Sequence, residues 1–384
     1  MIKAFLPFVL LSLIPLGACP LHAQDQSYLD QFKLHVINVT SIFSSCVVFD
    51  VDHDGDSDIV SGAFWYEAPT WKRHFVSDVE VINGRPDGYS HLPMDVNSDG
   101  WIDIVHCNFR SKSLYWLQHP GAGLGGWTKH VIEEPGPMET GRLYDIDGDG
   151  VLDILPNGWY FNAWYALASP EKGVEPHFDR YMIGEEGAGH GNGFGDINGD
   201  GRGDYIGLKG WYEAPSNPRT EPWVWHPDFD LGRTSIPVIV ADIDLDGDND
   251  LIYAQGHDYG IYWEEQTKND QSDLTWQKHL IDSTWSQGHS PLWVDLDNNG
   301  IMEFVDGKRF WSHEGKDPGA RDALVIYSYE FDQKTKKFKR RAIQENGPAG
   351  FGLDPKAVDL DQDGDMDLVL PGRSGLYWYE NLLK

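Results

Sequence analysis

Short apolar runs separated by Gly, Asp and Asn recur along the chain from residue 32 to its end. Each recurrence reads the same way. An apolar run such as residues 291–294 enters an acidic stretch, and another, such as Asp58, Ile59 and Val60, leaves it. A third run is aromatic: Trp65-Tyr66-Glu67, Tyr115-Trp116, Trp211-Tyr212-Glu213, Tyr262-Trp263-Glu264 and Tyr377-Trp378-Tyr379-Glu380. A fourth is aromatic, basic and then apolar, at residues 71–76, 127–132, 276–281 and 338–343. Runs of four to eight residues, rich in β-branched and aromatic side chains and bounded by turn formers, predict strands. No stretch after residue 23 carries a helical period.

The unit repeats seven times. Its acidic segments begin at Asp50, Asp95, Asp145, Asp196, Asp242, Asp295 and Asp359, and the interval from Asp295 to Asp359 is the longest. A period near ~50 residues with four short strands per unit predicts a β-propeller of seven four-stranded blades, an all-β fold. The last unit stops after its third strand. The missing fourth pattern, Phe32-Lys33-Leu34-His35-Val36-Ile37, stands at the other end of the chain, so the N-terminal strand is expected to complete blade seven. Closure of this kind removes the open edge of a linear array. The predicted organisation is a targeting segment at 1–23, a short linker at 24–31 and one propeller at 32–384.

The first residues read as an export signal: Lys3, then an apolar run from Ala4 to Leu16 that is short for a membrane span. Two processing points compete. Leu21-His22-Ala23 before Gln24 resembles a signal-peptidase site, and Leu16-Gly17-Ala18-Cys19 resembles a bacterial lipobox. Either implies a periplasmic, secreted or lipid-anchored bacterial protein. No later segment is long and apolar enough to cross a membrane. Cys46 and Cys107 remain, either paired in an oxidising compartment or buried as thiols. The net charge of −31 disfavours nucleic acid as a partner.

The acidic segments share the pattern Asp-x-(Asp/Asn)-x-(Asp/Asn)-Gly-x-x-(Asp/Glu). Alternating carboxylates on a glycine-bent loop suit a hard cation that takes oxygen ligands. The expected calcium ligands are Asp50, Asp52, Asp54 and Asp58; Asp95, Asn97, Asp99 and Asp103; Asp145, Asp147, Asp149 and Asp153; Asp196, Asn198, Asp200 and Asp204. They continue with Asp242, Asp244, Asp246 and Asp250; Asp295, Asp297, Asn299 and Glu303; and Asp359, Asp361, Asp363 and Asp367. The sixth set, with Asn299 and the longer Glu303, is expected to bind most weakly. Together these sets hold about 25 of the 61 acidic residues, and seven divalent ions would bring the net charge to about −17. A plain Asp/Gly turn does not call for an acid at position nine in every copy.

On these loops, over roughly residues 32–384, the chain resembles the FG-GAP/VCBS repeat family. Phe194-Gly195 and Phe351-Gly352 echo its Phe-Gly element, and a Gly-Ala-Pro tripeptide is absent. The resemblance implies a seven-bladed propeller with calcium in the loops, and leaves the activity open. The repeat style is also similar to the propeller of aldos-2-ulose dehydratases.

The loops join strand one to strand two, so they share one face. The starts of first strands and the ends of second strands must then meet on the other face, around the channel. Starts supply His91, Glu139, Arg142, His190, Asn192, His289 and Asp354. Ends supply Asn108, Arg110, Lys209, His257, Asp258, Tyr259, Lys308, Arg309 and Arg373. A basic rim on an acidic protein suits an anionic ligand. His190, His257 and His289 are candidate acid/base groups or ligands for an additional divalent metal at the rim. His91, Arg110, Arg142, Lys209, Asp258, Tyr259, Lys308, Arg309 and Arg373 are candidates for substrate binding. His74, His130 and His279 recur at one register of strand four and read as structural. Motifs for serine hydrolases, phosphate loops, zinc proteases and dithiol redox chemistry are absent. Two functional readings stand: a lyase or dehydratase acting on an anionic or oxidised carbohydrate, and a module that binds glycan or a protein partner without chemistry.

Overall fold

In the computed structural model, residues 28–168, 173–268 and 274–383 are described. They form seven four-stranded antiparallel sheets and one two-stranded hairpin. Blade one runs through Val47–Phe49, Asp58–Ser61, Phe64–Glu67 and Lys72–Phe75. In each blade the first strand pairs with the second across the acidic loop, as in Val47 opposite Val60 and Phe49 opposite Asp58. Second strands such as Asp103–Cys107 and Asp250–Ala254 are buried along their whole length. They lie between neighbouring blades, so both faces are apolar and the period-two alternation disappears. Outer strands meet solvent and recover it.

The core is divided among the seams. Seven clusters each join two adjacent blades; one packs Cys46, Ile59 and Tyr66 of blade one against Val369, Leu376 and Trp378 of blade seven. A second joins Val105, Trp116 and Met138 to Ile154 and Tyr165 across blades two and three. The ring is closed as expected: Phe32–Asn38 pairs antiparallel with Gly375–Asn381, with Phe32 opposite Asn381 and His35 opposite Trp378. Tyr28 and Leu29, within the predicted linker, also pack on the propeller. The Tyr28 ring lies 5.5 Å from Phe32 and 5.3 Å from the Arg341 guanidinium. The targeting segment lies outside the described residues. Among those residues no helix is long and apolar enough to cross a membrane.

The outer-strand histidines stack on third-strand tryptophans: His74 on Trp65 at 4.3 Å, His130 on Trp116 at 4.4 Å and His279 on Trp263 at 4.6 Å. His74 and His279 are also held by Glu67 and Glu265, each at 2.7 Å. Cys46 and Cys107 are free and buried, in blades one and two. Burial pushes both thiols up, Cys107 to about 12.

Two insertions build the channel face. Between blades one and two, a hairpin pairs Val81–Ile82 with Arg85–Pro86 around Asn83 and Gly84, both at positive φ. An Asn-Gly pair suits such a turn because both positions favour the left-handed region. In blade six, residues 308–324 separate the second strand, Glu303–Gly307, from the third, Val325–Asp332, which accounts for the long interval after Asp295.

Candidate functional site

On the face opposite the acidic loops, turns and insertions from several blades enclose one cavity. Arg85, Arg110, Arg233, Arg309 and Arg373 line it, together with Tyr89, Phe109, Trp159 and Phe310. The aromatic wall is continuous: Phe109 lies 6.1 Å from Tyr89 and meets Trp159 edge-on at 5.4 Å. Arg85 of the hairpin is ion-paired with Glu314 of the blade-six insertion, and Arg373 lies 3.5 Å from the same carboxylate. Arg309 Nη1 and Arg110 Nε are buried with no hydrogen-bond partner among the described residues. A buried guanidinium N–H without an acceptor is costly, so these groups are set to receive one.

Glu139 lines the cavity, and around it the predicted histidines converge. His190 Nε2 lies 2.9 Å from His289 Nε2 and 2.9 Å from His257 Nε2. Glu139 reaches His190 Nε2 at 3.5 Å and His289 Nε2 at 3.3 Å. Each histidine comes from a different blade or blade connection, and all three are buried. Gly256 permits the approach, because a Cβ there would stand 2.9 Å from His190 Cε1 and 3.1 Å from the Thr234 carbonyl.

The far nitrogens are all held. His190 Nδ1 lies 2.8 Å from the Thr234 carbonyl and His257 Nδ1 lies 2.9 Å from Asp317. His289 Nδ1 lies 3.2 Å from Ser290 Oγ. Asp317 also accepts from Ser312 and His313, and the His313 ring stacks on His257 at 4.6 Å. Burial pushes His257 down to about 3, helped by His190 and Arg309, and holds His190 and His289 below the usual histidine range. Burial opposes ionisation of Glu139, but positive charge on its neighbours, a proton on His190 or His289 and the Arg309 guanidinium, outweighs it and holds the carboxyl well below its ordinary value.

The remaining expected rim residues fall elsewhere. Of the candidate substrate contacts, Arg110, Arg309 and Arg373 line the cavity. His91 is buried between Ser45 Oγ, at 2.8 Å, and the Gly62 amide, at 3.1 Å. Arg142 donates to the Gly141 and Ile236 carbonyls and lies 3.4 Å from Asp354, lining a separate recess with Tyr144, Phe194 and Lys356. Lys308 is wholly buried and its ammonium lies 3.4 Å from Ser286 Oγ. Tyr259 donates to Asp322, and neither it, Asp258 nor Lys209 lines the cavity. Arg85, Arg233, His313, Asp317 and the aromatic wall were not singled out from the sequence. They sit on connections whose path depends on how the blades turn, and only the Asn-Gly hairpin pair and the long sixth interval marked those segments.

In the acidic loops, the position-nine acids are buried. Asp103 Oδ2 accepts from the Val96 amide at 3.0 Å and Oδ1 from the His119 amide at 2.8 Å. The same two-sided arrangement recurs at Asp58, Asp204, Asp250 and Asp367. Burial pushes each of these five up to about 7 against the pull of those amides. Carboxylate oxygens of Asp50, Asp52 and Asp58 converge, as do those of Asp145, Asp147 and Asp153, and of Asp242, Asp244 and Asp246. Such oxygen sets fit a hard cation. Three loops also carry a guanidinium: Arg219 on Asp147 and Asp149, Arg202 on Asp200, and Arg341 on Asp297 and Glu303.

Residues 95–155, spanning the second and third acidic loops, match the family model of the FG-GAP-like repeat. The chain is a seven-bladed β-propeller that contains an FG-GAP-like repeat at these residues, and the same acidic loop recurs in all seven blades. No curated protein sequence matches it. Among solved structures, it is similar to an Agrocybe aegerita lectin described for specific recognition of non-reducing terminal N-acetylglucosamine. That match has 17% identity and a TM-score of 0.51, over 90% of this chain and 87% of the lectin. It also matches the Photorhabdus luminescens Tc holotoxin pore at 14% identity and a TM-score of 0.38, over 82% of this chain and 15% of that one. The likeness to the lectin is one of fold.

Proposed function

We propose that this propeller binds an anionic carbohydrate in the arginine-lined cavity of its channel face. The observation that carries the reading is five arginines and a continuous aromatic wall around one cavity of a protein whose net charge is −31. Aromatic faces suit the apolar face of a sugar ring, and forked guanidinium groups suit a carboxylate or sulfate. The lectin of similar fold is described for a neutral sugar, and the basic lining here favours a charged one. Calorimetry with a uronate oligosaccharide and its carboxyl-reduced neutral counterpart tests this. Wild type should prefer the uronate, and Arg110→Gln or Arg309→Gln should each weaken it about tenfold or more, as expected for a hydrogen bond to a charged group. Equal affinity for both sugars would overturn the reading.

A second reading, lyase or dehydratase action on the bound sugar, is favoured by Glu139 in the lining of the same cavity. Its carboxylate and the neutral histidines are bases positioned to take a proton alpha to a carboxyl or carbonyl group, with Arg309 beside the developing charge. An unsaturated product with new ultraviolet absorbance, lost in Glu139→Gln while binding is kept, supports chemistry. Binding with no product leaves a glycan-binding module.

Calcium in the acidic loops fits the same proposal as a structural ion. Positions one, three, five and nine would hold it. Loops one, two and seven, which carry neither a guanidinium nor an ammonium on these carboxylates, should fill first; in loop five Lys336 lies 3.8 Å from Asp244. Export to a bacterial periplasm or surface would put the protein where glycans and millimolar calcium occur.

A further inference from the structure

We infer that Glu139, His190, His257 and His289 form a site for one first-row divalent transition-metal ion, distinct from the calcium-type loops on the opposite face. The argument starts from which nitrogen carries each proton. The Thr234 carbonyl can only accept, so His190 Nδ1 bears the hydrogen and Nε2 presents a lone pair. The Asp317 carboxylate, held by Ser312 and His313, fixes His257 the same way. Ser290 Oγ donates its hydrogen to the Leu353 carbonyl at 2.6 Å, so toward His289 Nδ1 it accepts. All three Nε2 atoms therefore aim lone pairs at one point, and the Glu139 carboxylate adds a fourth set.

Four acceptors with no donor among them repel one another. A proton on His190 Nε2 can serve only one of its three neighbours. A cation serves all four. The spacings agree with that: the four donor atoms lie 2.9 to 3.5 Å apart where they approach. Bonds of about 2.0–2.1 Å to a common metal place right-angled ligands about 2.9 Å apart and tetrahedral ligands about 3.3 Å apart. Three imidazoles and one carboxylate select zinc, cobalt, nickel or iron over calcium, which prefers oxygen alone. Each histidine also has the outer partner that orients metal-bound imidazoles: a carbonyl, a carboxylate and a hydroxyl. The cavity reaches the cluster at Glu139, so a bound ion would face the arginine pocket and could polarise a ligand's carboxyl or carbonyl oxygen.

The test uses the full chain in saturating Ca²⁺, so that oxygen-only sites are filled, and titrates Co²⁺ and then Zn²⁺. One equivalent of Co²⁺ should bind tightly and give the visible absorption of a nitrogen-ligated, low-coordinate ion, which Zn²⁺ abolishes. His190→Ala and His289→Ala should each weaken Co²⁺ by more than about 100-fold, and Asp317→Ala by about 10–100-fold. Glu139→Gln keeps the shape and should alter the spectrum as well as the affinity. Melting curves in chelator separate lost binding from lost folding. No tight Co²⁺ or Zn²⁺ site in calcium, or a site unaffected by Glu139→Gln and Asp317→Ala, overturns the inference and leaves a protonated cluster. The outcome is independent of the carbohydrate-binding proposal, whereas an ion here would occupy the lone pairs that the lyase reading uses as bases. Uronate binding without metal would sink only this site, and metal binding without uronate only the other.

Discussion

Replacing Asp103 by Asn separates two roles that the acidic loops combine. Asp103 is wholly buried at the start of the second strand of blade two. One oxygen takes the Val96 amide from the loop and the other takes the His119 amide beyond the third strand. The carboxylate thus ties three chain segments whether or not a metal is present. Asn keeps one acceptor and turns a donor toward the other amide. The loss is one charge-assisted hydrogen bond, about 1.5–3 kcal/mol, and one buried N–H without a partner, about 1–3 kcal/mol. Because burial pushes the acid up to about 7, relief of that cost offsets part of the loss, and a net of about 2–4 kcal/mol is expected. With an unfolding entropy of about 2.1 cal/mol/K per residue, a chain of this size should lose roughly 3–5 °C in Tm. The assay is calorimetry in chelator, with Asp99→Asn as control. Asp99 is part-exposed; its Oδ1 accepts the Trp101 amide at 2.9 Å, a bond that Asn can keep, and its Oδ2 accepts the Asn97 side-chain amide at 3.0 Å, a bond that water can replace at this position. Asp99→Asn should therefore be nearly silent in chelator and lose only calcium-dependent stability. If Asp103→Asn matches wild type in chelator and falls behind only in calcium, the staple reasoning fails.

Lys308→Met should stabilise the fold at neutral pH. Burial pushes the Lys308 ammonium down to about 8, so the folded state favours the neutral form; this contribution is present above the unfolded value of about 10.4 and lost as pH falls through 8. The gain should approach about 3 kcal/mol near pH 7 and shrink toward pH 10, and a pH-independent gain in urea denaturation would count against it. Cys46 and Cys107 should resist a thiol reagent in the native state and react after unfolding, with no effect of reductant on Tm. Gly256→Ala should cost about 1–3 kcal/mol by crowding His190 and the Thr234 carbonyl, and should weaken Co²⁺ binding; unchanged binding with intact folding would show that the histidine spacing is not critical. Deleting residues 28–38 should expose the Gly375–Asn381 edge and produce oligomers by light scattering, whereas a stable monomer would show that the ring does not need its last strand.

The repeat made the ring legible, because every blade must bury both faces of its second strand and turn at the same acidic loop. The split blade followed from one missing pattern at Lys384 and one surplus pattern at Phe32. The convergence of His190, His257 and His289 followed from topology alone, since the acidic loops take one face. The outer strands of blades three and four, His177–Gly184 and Val224–His226, were not legible, because the basic-apolar pattern of the other blades is broken there. Rim residues divided for a similar reason. Arg110, Arg309 and Arg373 stand on turns that overhang the channel, whereas His91 and Lys308, equally polar in sequence, point into the blade seams. Arg85, Arg233 and the Asp317 support come from connections that a strand pattern does not describe.

The borrowed strand sets an order of assembly. Lys33 meets Glu380 across 347 residues of chain, so the first strand made is the last to find its partner. During synthesis the early blades can form in turn, each seam seeded by the one before, while Phe32–Asn38 waits unpaired. The ring then closes in one late event, when Gly375–Asn381 emerges and offers its edge. Until that moment the nascent protein carries two open strand edges at once, and its exposure to misassembly is set by how quickly Gly375–Asn381 follows the blades before it.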